Sequence, residues 1–342
     1  MAGILKVDEI SEATQNDGVI LNNNVKVRLA DNSTQHVIST SGNTTTIDNI
    51  SLGSNTIPNS SFMFRNKIIN GGMQIDQRNS GASVGPFASA SAGYKGVDRW
   101  FIASDPMTSQ QITGNSPTGF SHYLKLTKGS GSNIDIRQTV ELPAAGQAGQ
   151  FGVGSVWTLS FYAKSVVGGE TLNFNTYFRL GVATGSFNSV SAPTPSSITL
   201  TTNWTRYSVL FTIDVSPGAS HLCIAFGLNT TATELHLTGV QLEEGTVATP
   251  FEHRPIGVEL SLCQRYFYEA TVQTSWGNTA SVAMAFFYHP VRMRAQPNVS
   301  QVSLSLGSAL GSTVNSYMAT KQLSGVGSGN AATLTQNFDA EL

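Results

Sequence analysis

Between about residues 62 and 254 apolar side chains recur at every second position. Leu124 and Leu126, Ile134 and Ile136, and Trp157, Leu159 and Phe161 follow this rule. So do Leu172, Phe174 and Phe178; Tyr207, Val209, Phe211 and Ile213; Leu222, Ile224 and Phe226; and Leu235 and Leu237. A period of two puts one side of an extended chain against a core and the other toward solvent, which predicts strands. Gly, Pro, Asn and Ser separate the runs, as in Val215-Ser216-Pro217-Gly218-Ala219 after the Tyr207 run and Asn203-Trp204-Thr205 before it. Such punctuation predicts successive antiparallel strands in an all-β sandwich, and the length suits a jelly roll of about eight strands. Asn66–Gln77 and Gly239–Arg254 read as its opening and closing strands.

The flanks have a different texture. Residues 1–61 carry short apolar clusters (Ile4, Leu5, Val7, Ile10; Val19, Ile20, Leu21; Val25, Val27, Leu29) among Asn, Asp, Gly, Ser and Thr. Ordering a residue's backbone costs about 1–2 kcal/mol, and each buried apolar side chain returns only about 1.5–3 kcal/mol. This arm is therefore either disordered or folded against other copies of itself, and the alternation of Val25, Val27 and Leu29 favours the second. Residues 255–342 begin with Pro255 ahead of Ile256, Leu260, Cys263 and Phe267, whose offsets of three and four predict one apolar stripe of a short helix. Alternation then returns in Val282, Met284 and Phe286, in Val291, Met293 and Ala295, and in Val299 with Val302, Leu304 and Leu306. The expected organisation is an extended oligomerising arm, a jelly-roll sandwich over 62–254, then a short helix and a smaller β module.

Composition narrows the function classes. Only 12% of the 342 residues are charged, so hydroxyls and amides must wet most of the surface, as in extracellular assemblies and virions. With 19 basic and 21 acidic side chains the net charge is −2, and no basic stretch stands out. Nucleic-acid affinity needs such a stretch, and no nucleic-acid partner is expected. Cys223 and Cys263 are too few for a disulfide framework and lack metal-ligand spacing, so both read as buried free thiols. No secretory leader and no membrane-inserting run is expected, and release by cell lysis fits both.

The framing segments together with Gly96-Val97-Asp98-Arg99-Trp100, Ser160-Phe161-Tyr162-Ala163-Lys164 and Cys263-Gln264-Arg265-Tyr266-Phe267 resemble a family of bacteriophage tail-fibre and virion structural proteins. Met1–Ile10 is also similar to amino-terminal arms in tail fibres of marine and cyanobacterial phages. The resemblance covers most of the chain. It implies a middle domain like a carbohydrate-binding-module jelly roll, a homotrimer, an arm that attaches to other virion proteins, and a location on the phage tail or particle surface. A structural calcium ion is compatible with it, but no Asp-rich loop with oxygen-ligand spacing is visible, and the metal stays open. No extended repeated shaft is present, which leaves tail tip, baseplate and head surface as alternatives.

Bond-breaking chemistry has little to draw on. Glycan hydrolysis needs two carboxylates flanking one bond. Glu243 and Glu244 are adjacent in an expected strand and point to opposite faces. Asp98 and Glu252 could meet in space, but Asp98 beside Arg99 reads first as a structural ion pair. His36, His122, His221, His236, His253 and His289 lack zinc-site spacing, although His221 and His236 could face one another across strands. Gly325-Val326-Gly327-Ser328-Gly329 has no phosphate-loop lysine. The chain is expected not to be an enzyme, and no cofactor is expected.

A sugar site needs aromatic faces for the apolar side of a pyranose and amides or cations for its hydroxyl edge. If Leu172, Phe174, Thr176 and Phe178 face the core, then Asn173, Asn175, Tyr177 and Arg179 share the opposite face. Tyr162 and Lys164 would extend that surface from a neighbouring strand. The competing reading is an ordinary solvated sheet face. The function expected is host attachment by multivalent binding of surface glycans. An architectural virion component without a receptor site is the alternative, and a polysaccharide depolymerase the third.

Overall fold

A computed structural model of the chain describes residues 64–87, 93–102, 107–129, 134–141, 151–179, 187–189, 194–213, 221–228, 233–275, 282–305, 308–324 and 331–341, and the backbone alone of 25–28, 34–41, 44–47, 49–52 and 55–58. The chain divides into two units, residues 1–63 and residues 64–342. In the first, β1 (Val25–Arg28), β2 (Thr34–Ser41) and β3 (Thr44–Ile47) pair antiparallel in that order. β4 (Asn49–Leu52) and β5 (Asn55–Pro58) form a hairpin. The strand expected from Val25 and Val27 is β1.

In the second unit the sandwich is built from β6 (Phe101–Ile102), β7 (Met107–Thr113), β8 (His122–Lys128), β9 (Ile134–Glu141), β10 (Val156–Ser165) and β11 (Thr171–Arg179), followed by β12 (Phe187–Ser189), β13 (Ser197–Thr199), β14 (Thr205–Thr212), β15 (His221–Leu228) and β16 (Glu234–Glu244). One sheet has the order β14-β10-β16-β8-β7. The other has β12-β11-β15-β9-β6, with β13 also against β11. Early strands pair with late ones in nested fashion, β8 with β16, β9 with β15 and β10 with β14, all antiparallel. That nesting is a strand ribbon rolled into two layers, the jelly roll expected from the spacing.

The period-two residues meet between the layers. Trp157, Leu159 and Phe161 of β10, Leu124 and Leu126 of β8, and Leu235 and Leu237 of β16 oppose Leu172 and Phe174 of β11 and Leu222, Ile224 and Phe226 of β15 in one buried cluster. Phe161 ties the sheets together, with ring centroids 5.5 Å from Phe174 and 5.1 Å from Phe226. Each such side chain contributes about 1.5–3 kcal/mol by leaving water.

Asn66–Gln77 is not the strand expected of it. β8 pairs with β16 only as far as Leu124 opposite Leu237, which leaves one edge of β16 open beyond that point. The opening segment takes that edge without strand geometry. Lys67 N–H donates to Leu242 O at 2.8 Å and Val240 N–H to Gly71 O at 3.0 Å. The Asn66 side chain donates to Val240 O at 3.1 Å and accepts from Leu242 N–H at 3.0 Å. Asn70, at φ 56°, turns the segment and holds it through Ile75 and Asp98. Buried backbone groups must find partners, and here they find them in asparagine side chains.

α1 (Ile256–Gln264) starts after Pro255 as expected, but its buried positions are Glu259 and Cys263, while Ile256 is exposed and Phe267 lies beyond the helix. Glu259 accepts from Asn70 N–H and from Arg254, which reverses the apolar stripe read from the sequence into a polar anchor. Then follow β17 (Phe267–Ser275), β18 (Val282–Tyr288), β19 (Asn298–Leu304), β20 (Ser308–Val314), β21 (Met318–Ser324) and β22 (Ala331–Asp339), in sheets β17-β22-β19 and β18-β21-β20. They enclose a second core that includes Phe287, Leu323, Leu334 and Phe338. On β18 the inward positions are Ala285 and Phe287, opposite in phase to the Val282, Met284 and Phe286 alternation. Met284, Phe286 and Tyr288 stand outward, 44%, 47% and 70% exposed. In β19 the register slips between Gln301 and Ser303, so Val302 points out while Val299 and Leu304 pack against the core.

Two arginines join this module to the sandwich. Arg99 is paired with Glu341, donates to Thr139 O at 2.8 Å and lies 3.4 Å above the Tyr266 ring. Arg78 reaches Asp339 at 3.1 Å, Glu341 at 3.4 Å and Asp98 at 3.7 Å, with its guanidinium 3.7 Å over Phe267. The ion pair expected between Asp98 and Arg99 is therefore replaced: Asp98 partners Arg78 and Gln77, and Arg99 partners Glu341. Adjacent residues of one turn point apart, which is why sequence proximity misled.

Two outcomes follow for stability. A Cβ on Gly71 would sit 2.1 Å from Val240 O. Gly71→Ala is expected to cost about 1–3 kcal/mol, read as a lower urea midpoint at unchanged slope. Burial pushes the Asp98 carboxyl up to about 7 against the pull of Arg78 and the Gln77 hydrogen bonds. The folded state then holds a proton that the unfolded state has released. The resulting stability is full below about pH 4 and is lost as pH rises through about 7. Asp98→Asn should flatten that slope in thermal melts across the same interval.

Candidate functional site

The residues singled out from the sequence fall into two groups. Tyr162 and Lys164 lie on β10, whose neighbours are β14 and β16. Asn173, Asn175, Tyr177 and Arg179 lie on β11, whose neighbours are β12, β13 and β15. The two strands belong to opposite sheets, so Tyr162 and Lys164 do not extend the β11 surface. The connection between β10 and β11 crosses from one layer to the other, and adjacency in sequence is not adjacency in a sheet. Asn173 is exposed, opposite in sense to buried Leu172 and Phe174, as expected. The side chains of Asn175, Tyr177 and Arg179 lie outside the described residues.

The outer face of the five-stranded sheet has a closed end and an open end. At the closed end Thr158, Ser160, Gln241 and Glu243 point away from the core yet are buried. Residues 249–252 return over them. Glu243 accepts from Thr249 N–H at 2.9 Å, Thr249 Oγ1 at 2.6 Å and Gln241 Nε2 at 2.8 Å. Gln241 in turn accepts from Glu252 N–H at 2.7 Å. Glu252 accepts from Phe64 N–H at 2.7 Å and Asn66 N–H at 2.8 Å. Both carboxylates accept from backbone N–H groups, and where Glu252 borders a cavity beside a second carboxylate, Glu259, that partner is engaged by Asn70 N–H and Arg254.

At the open end, two successive rungs carry aromatic clusters. Tyr162 stands opposite Thr238 on β16 and Arg206 on β14. Against it packs Phe120, at 5.4 Å, and Phe120 meets Phe251 at 5.0 Å and His253 at 5.3 Å. Space for Phe120 comes from Gly239, at φ 60°, where a Cβ would lie 2.6 Å from the ring. The next rung, about 7 Å along, holds Lys164 opposite His236 and His236 opposite Lys125. Tyr123 stacks on His236 at 5.0 Å and meets Trp204 edge-on at 5.3 Å. The Lys164 ammonium lies 5.0 Å over the Trp204 ring, whose Nε1–H donates to Asn115 O at 2.7 Å. Trp204 is thus fixed in orientation while partly open to solvent.

One carboxylate serves this rung. Glu234 accepts from Lys125 Nζ at 2.8 Å and contacts His236 Nε2 at 3.0 Å. Burial works against its charge, but those two partners outweigh burial and hold its carboxyl below the usual range. Burial chiefly, with Lys164 and Lys125 nearby, pushes the His236 imidazole down, so it is neutral at pH 7. Beside the Phe120 rung a cavity of about 190 Å³ opens between Gln74, Gly72, Phe120, Phe251, His253 and Arg254. The arrangement offers ring faces with amide, imidazole and ammonium groups at their edges, the combination a pyranose requires.

Other expected chemistry is not brought together. His221 is on β15 and His236 on β16, in different sheets, so they do not face one another across neighbouring strands. Cys223 and Cys263 are buried and form no disulfide, in line with the sequence reading. Among the described residues no group of three or more His, Cys, Asp or Glu side chains could hold a metal ion, and no helix is long and apolar enough to cross a membrane.

Sequence reasoning found Tyr162 and Lys164 but missed Trp204, Tyr123, Phe120, Phe251, His236 and His253. Trp204 was hidden as turn punctuation before β14. A signal was present in β16, where inward Leu235 and Leu237 give way to inward Val240 and Leu242. That change of parity marks Gly239 and assigns His236 and Thr238 to the outer face.

No protein-family model matches the chain, and no curated protein sequence matches it. Solved structures similar to it include the enzymatically active domain of tailspike protein 4 of bacteriophage CBA120, at 16% identity over 53% of this chain and TM-score 0.33. The xylan-binding domain of a Paenibacillus barcinonensis protein matches at 15% identity over 49% of this chain and 95% of its own, TM-score 0.31. A carbohydrate-binding module in complex with β-1,4-galactotriose matches at 13% identity over 53% of this chain and 99% of its own, TM-score 0.30. The chain spans 22% of the tailspike domain's length. At these TM-scores the likenesses do not bear on what the chain binds.

Proposed function

We propose that this chain is a non-catalytic attachment protein of a bacteriophage particle, a tail-fibre component that binds host surface glycans at the open end of the outer face of its five-stranded sheet. The observation that carries the reading is the pair of aromatic clusters on successive rungs, Tyr162 with Phe120 and Phe251, then Trp204 with Tyr123, each edged by polar groups. Tyr162, Phe120, Phe251 and Trp204 are partly open to solvent, which leaves ring surface available to a sugar. The phage assignment is supported by the tail-fibre resemblance of Met1–Ile10 and the framing segments, and by a surface with only 12% charged residues. An architectural particle component would adsorb to no glycan, and a depolymerase would release reducing ends.

Binding of the folded protein to a polysaccharide array tests the reading. Trp204→Ala and Tyr162→Ala are each expected to weaken binding about tenfold or more, a change of about 1.4 kcal/mol. Asn173→Ala, on the other sheet, should leave it unchanged, and loss with Asn173→Ala but not with Trp204→Ala would refute the site.

A homotrimer is part of the same proposal, because weak single sites gain avidity when copies are linked. The outward row Met284, Phe286 and Tyr288 on β18 supports association between copies, being apolar, contiguous and uncharged. Sedimentation should give a trimer, and Phe286→Glu should shift it toward monomer. A wild-type monomer at micromolar concentration would exclude the assembly.

A further inference from the structure

We infer that the glycan unit seated on the Trp204 rung carries a carboxylate, and that Lys164 is the group that binds it. The inference rests on the glycan reading of this face and concerns the class of sugar it accepts. Among the described residues the outward positions of the open rungs hold the cations Lys125, Lys164 and Arg206 and the carboxylate Glu234. Lys125 is neutralised by Glu234 at 2.8 Å. Arg206 donates to Ser160 Oγ at 3.1 Å and to Thr249 O, which holds it at the closed end. His236, neutral at pH 7, satisfies its Nε2 with the same Glu234. Among the described residues Lys164, unlike these, has a ring face as its partner, 5.0 Å from the Trp204 centroid.

That partnership is easily exchanged. A cation over an exposed ring gains about 0.5–1 kcal/mol, and hydrogen bonds to an ionised partner gain about 1.5–3 kcal/mol. An ammonium on a flexible four-carbon stem can swing from the ring to a ligand carboxylate without disturbing the sheet. The exchange uncovers the indole face for the sugar ring as it engages the sugar's charge. A neutral glycan would have to displace Lys164 and leave it unpaired. Positive charge not cancelled by Glu234 therefore selects an acidic sugar of the uronic-acid type over its neutral counterpart.

The experiment uses the full chain against alginate, polygalacturonate and hyaluronate, each paired with its carboxyl-reduced form, by isothermal titration at low and raised salt. At least one acidic polymer should bind about tenfold or more tightly than its reduced form, and raised salt should erode the difference. Lys164→Gln, checked for fold by circular dichroism, should remove the preference by lowering affinity for the acidic polymer about tenfold or more, to the level of its reduced form. Equal affinities for the two forms, or a preference that survives in Lys164→Gln, would overturn this inference and leave the glycan reading standing. Binding to no polysaccharide of either kind would overturn both. Trp204→Ala losing both forms while Lys164→Gln loses only the preference is the pattern that identifies the two roles.

Discussion

The edge of β16 beyond Leu237 is the constraint on which the rest of the second unit depends. β8 leaves it there, and the backbone groups of Val240 and Leu242 would be buried without partners if nothing replaced it. Asn66, Lys67 and Gly71 replace it, and the close approach of Gly71 to Val240 O admits no side chain. An unpaired buried peptide group costs about 1–3 kcal/mol, so several together would threaten a domain of ordinary stability. The opening segment is thus as much a part of the sheet as any strand. It also carries Asn70, which reaches both the Asp98 turn and Glu259 of α1. Sandwich, helix and the arginine seam to the second core are joined through one short irregular stretch.

The same edge accounts for the two ends of the outer face. Past Gly239 the register of β16 shifts by a residue against β10, between Ser160 and Tyr162. On one side of the shift the outward residues are Gln241 and Glu243, used up in holding the returning segment. On the other side they are His236 and Thr238, beside the partly exposed rings of Tyr162, Phe120 and Trp204. A satisfied polar network excludes ligands by having no unmet hydrogen-bonding capacity. Half-open aromatic groups beside the Lys164 ammonium have that capacity to spare. The division between the closed and the open part of this face thus falls at one glycine.

Much of the fold was legible because the sandwich core obeys a period of two without exception in β8, β10, β14 and β15. Leu124, Trp157, Val209 and Ile224 all pointed where alternation sent them. Legibility failed wherever a second rule intervened. Asn66–Gln77 pairs with β16 partly through main-chain bonds and partly through the Asn66 amide, a mixture that no periodicity records. β18 has apolar residues on both faces, so its phase could not be read from hydrophobicity, and Val302 sits at a register slip. The candidate site was half legible for a related reason. Tyr162 and Lys164 were recognisable as outward residues of β10, but which strands lie beside β10 is a matter of topology. Trp204, Phe120 and Phe251 reach the face from turns, where alternation says nothing.

The seam between the two cores bears on force as well as on stability. Asp339 is in register with Phe267 at the same end of the β17·β22 pair, so tension applied through the last described residues would tend to peel β22 from β17 one hydrogen bond at a time. Peeling is the weak direction for a ladder. Arg78 and Arg99, rooted in the sandwich, grip Asp339 and Glu341 at that point and lie flat on the rings of Phe267 and Tyr266. A pull on these residues is therefore shared with the larger domain before the first rung of the ladder is loaded, and the small module resists unzipping from that end.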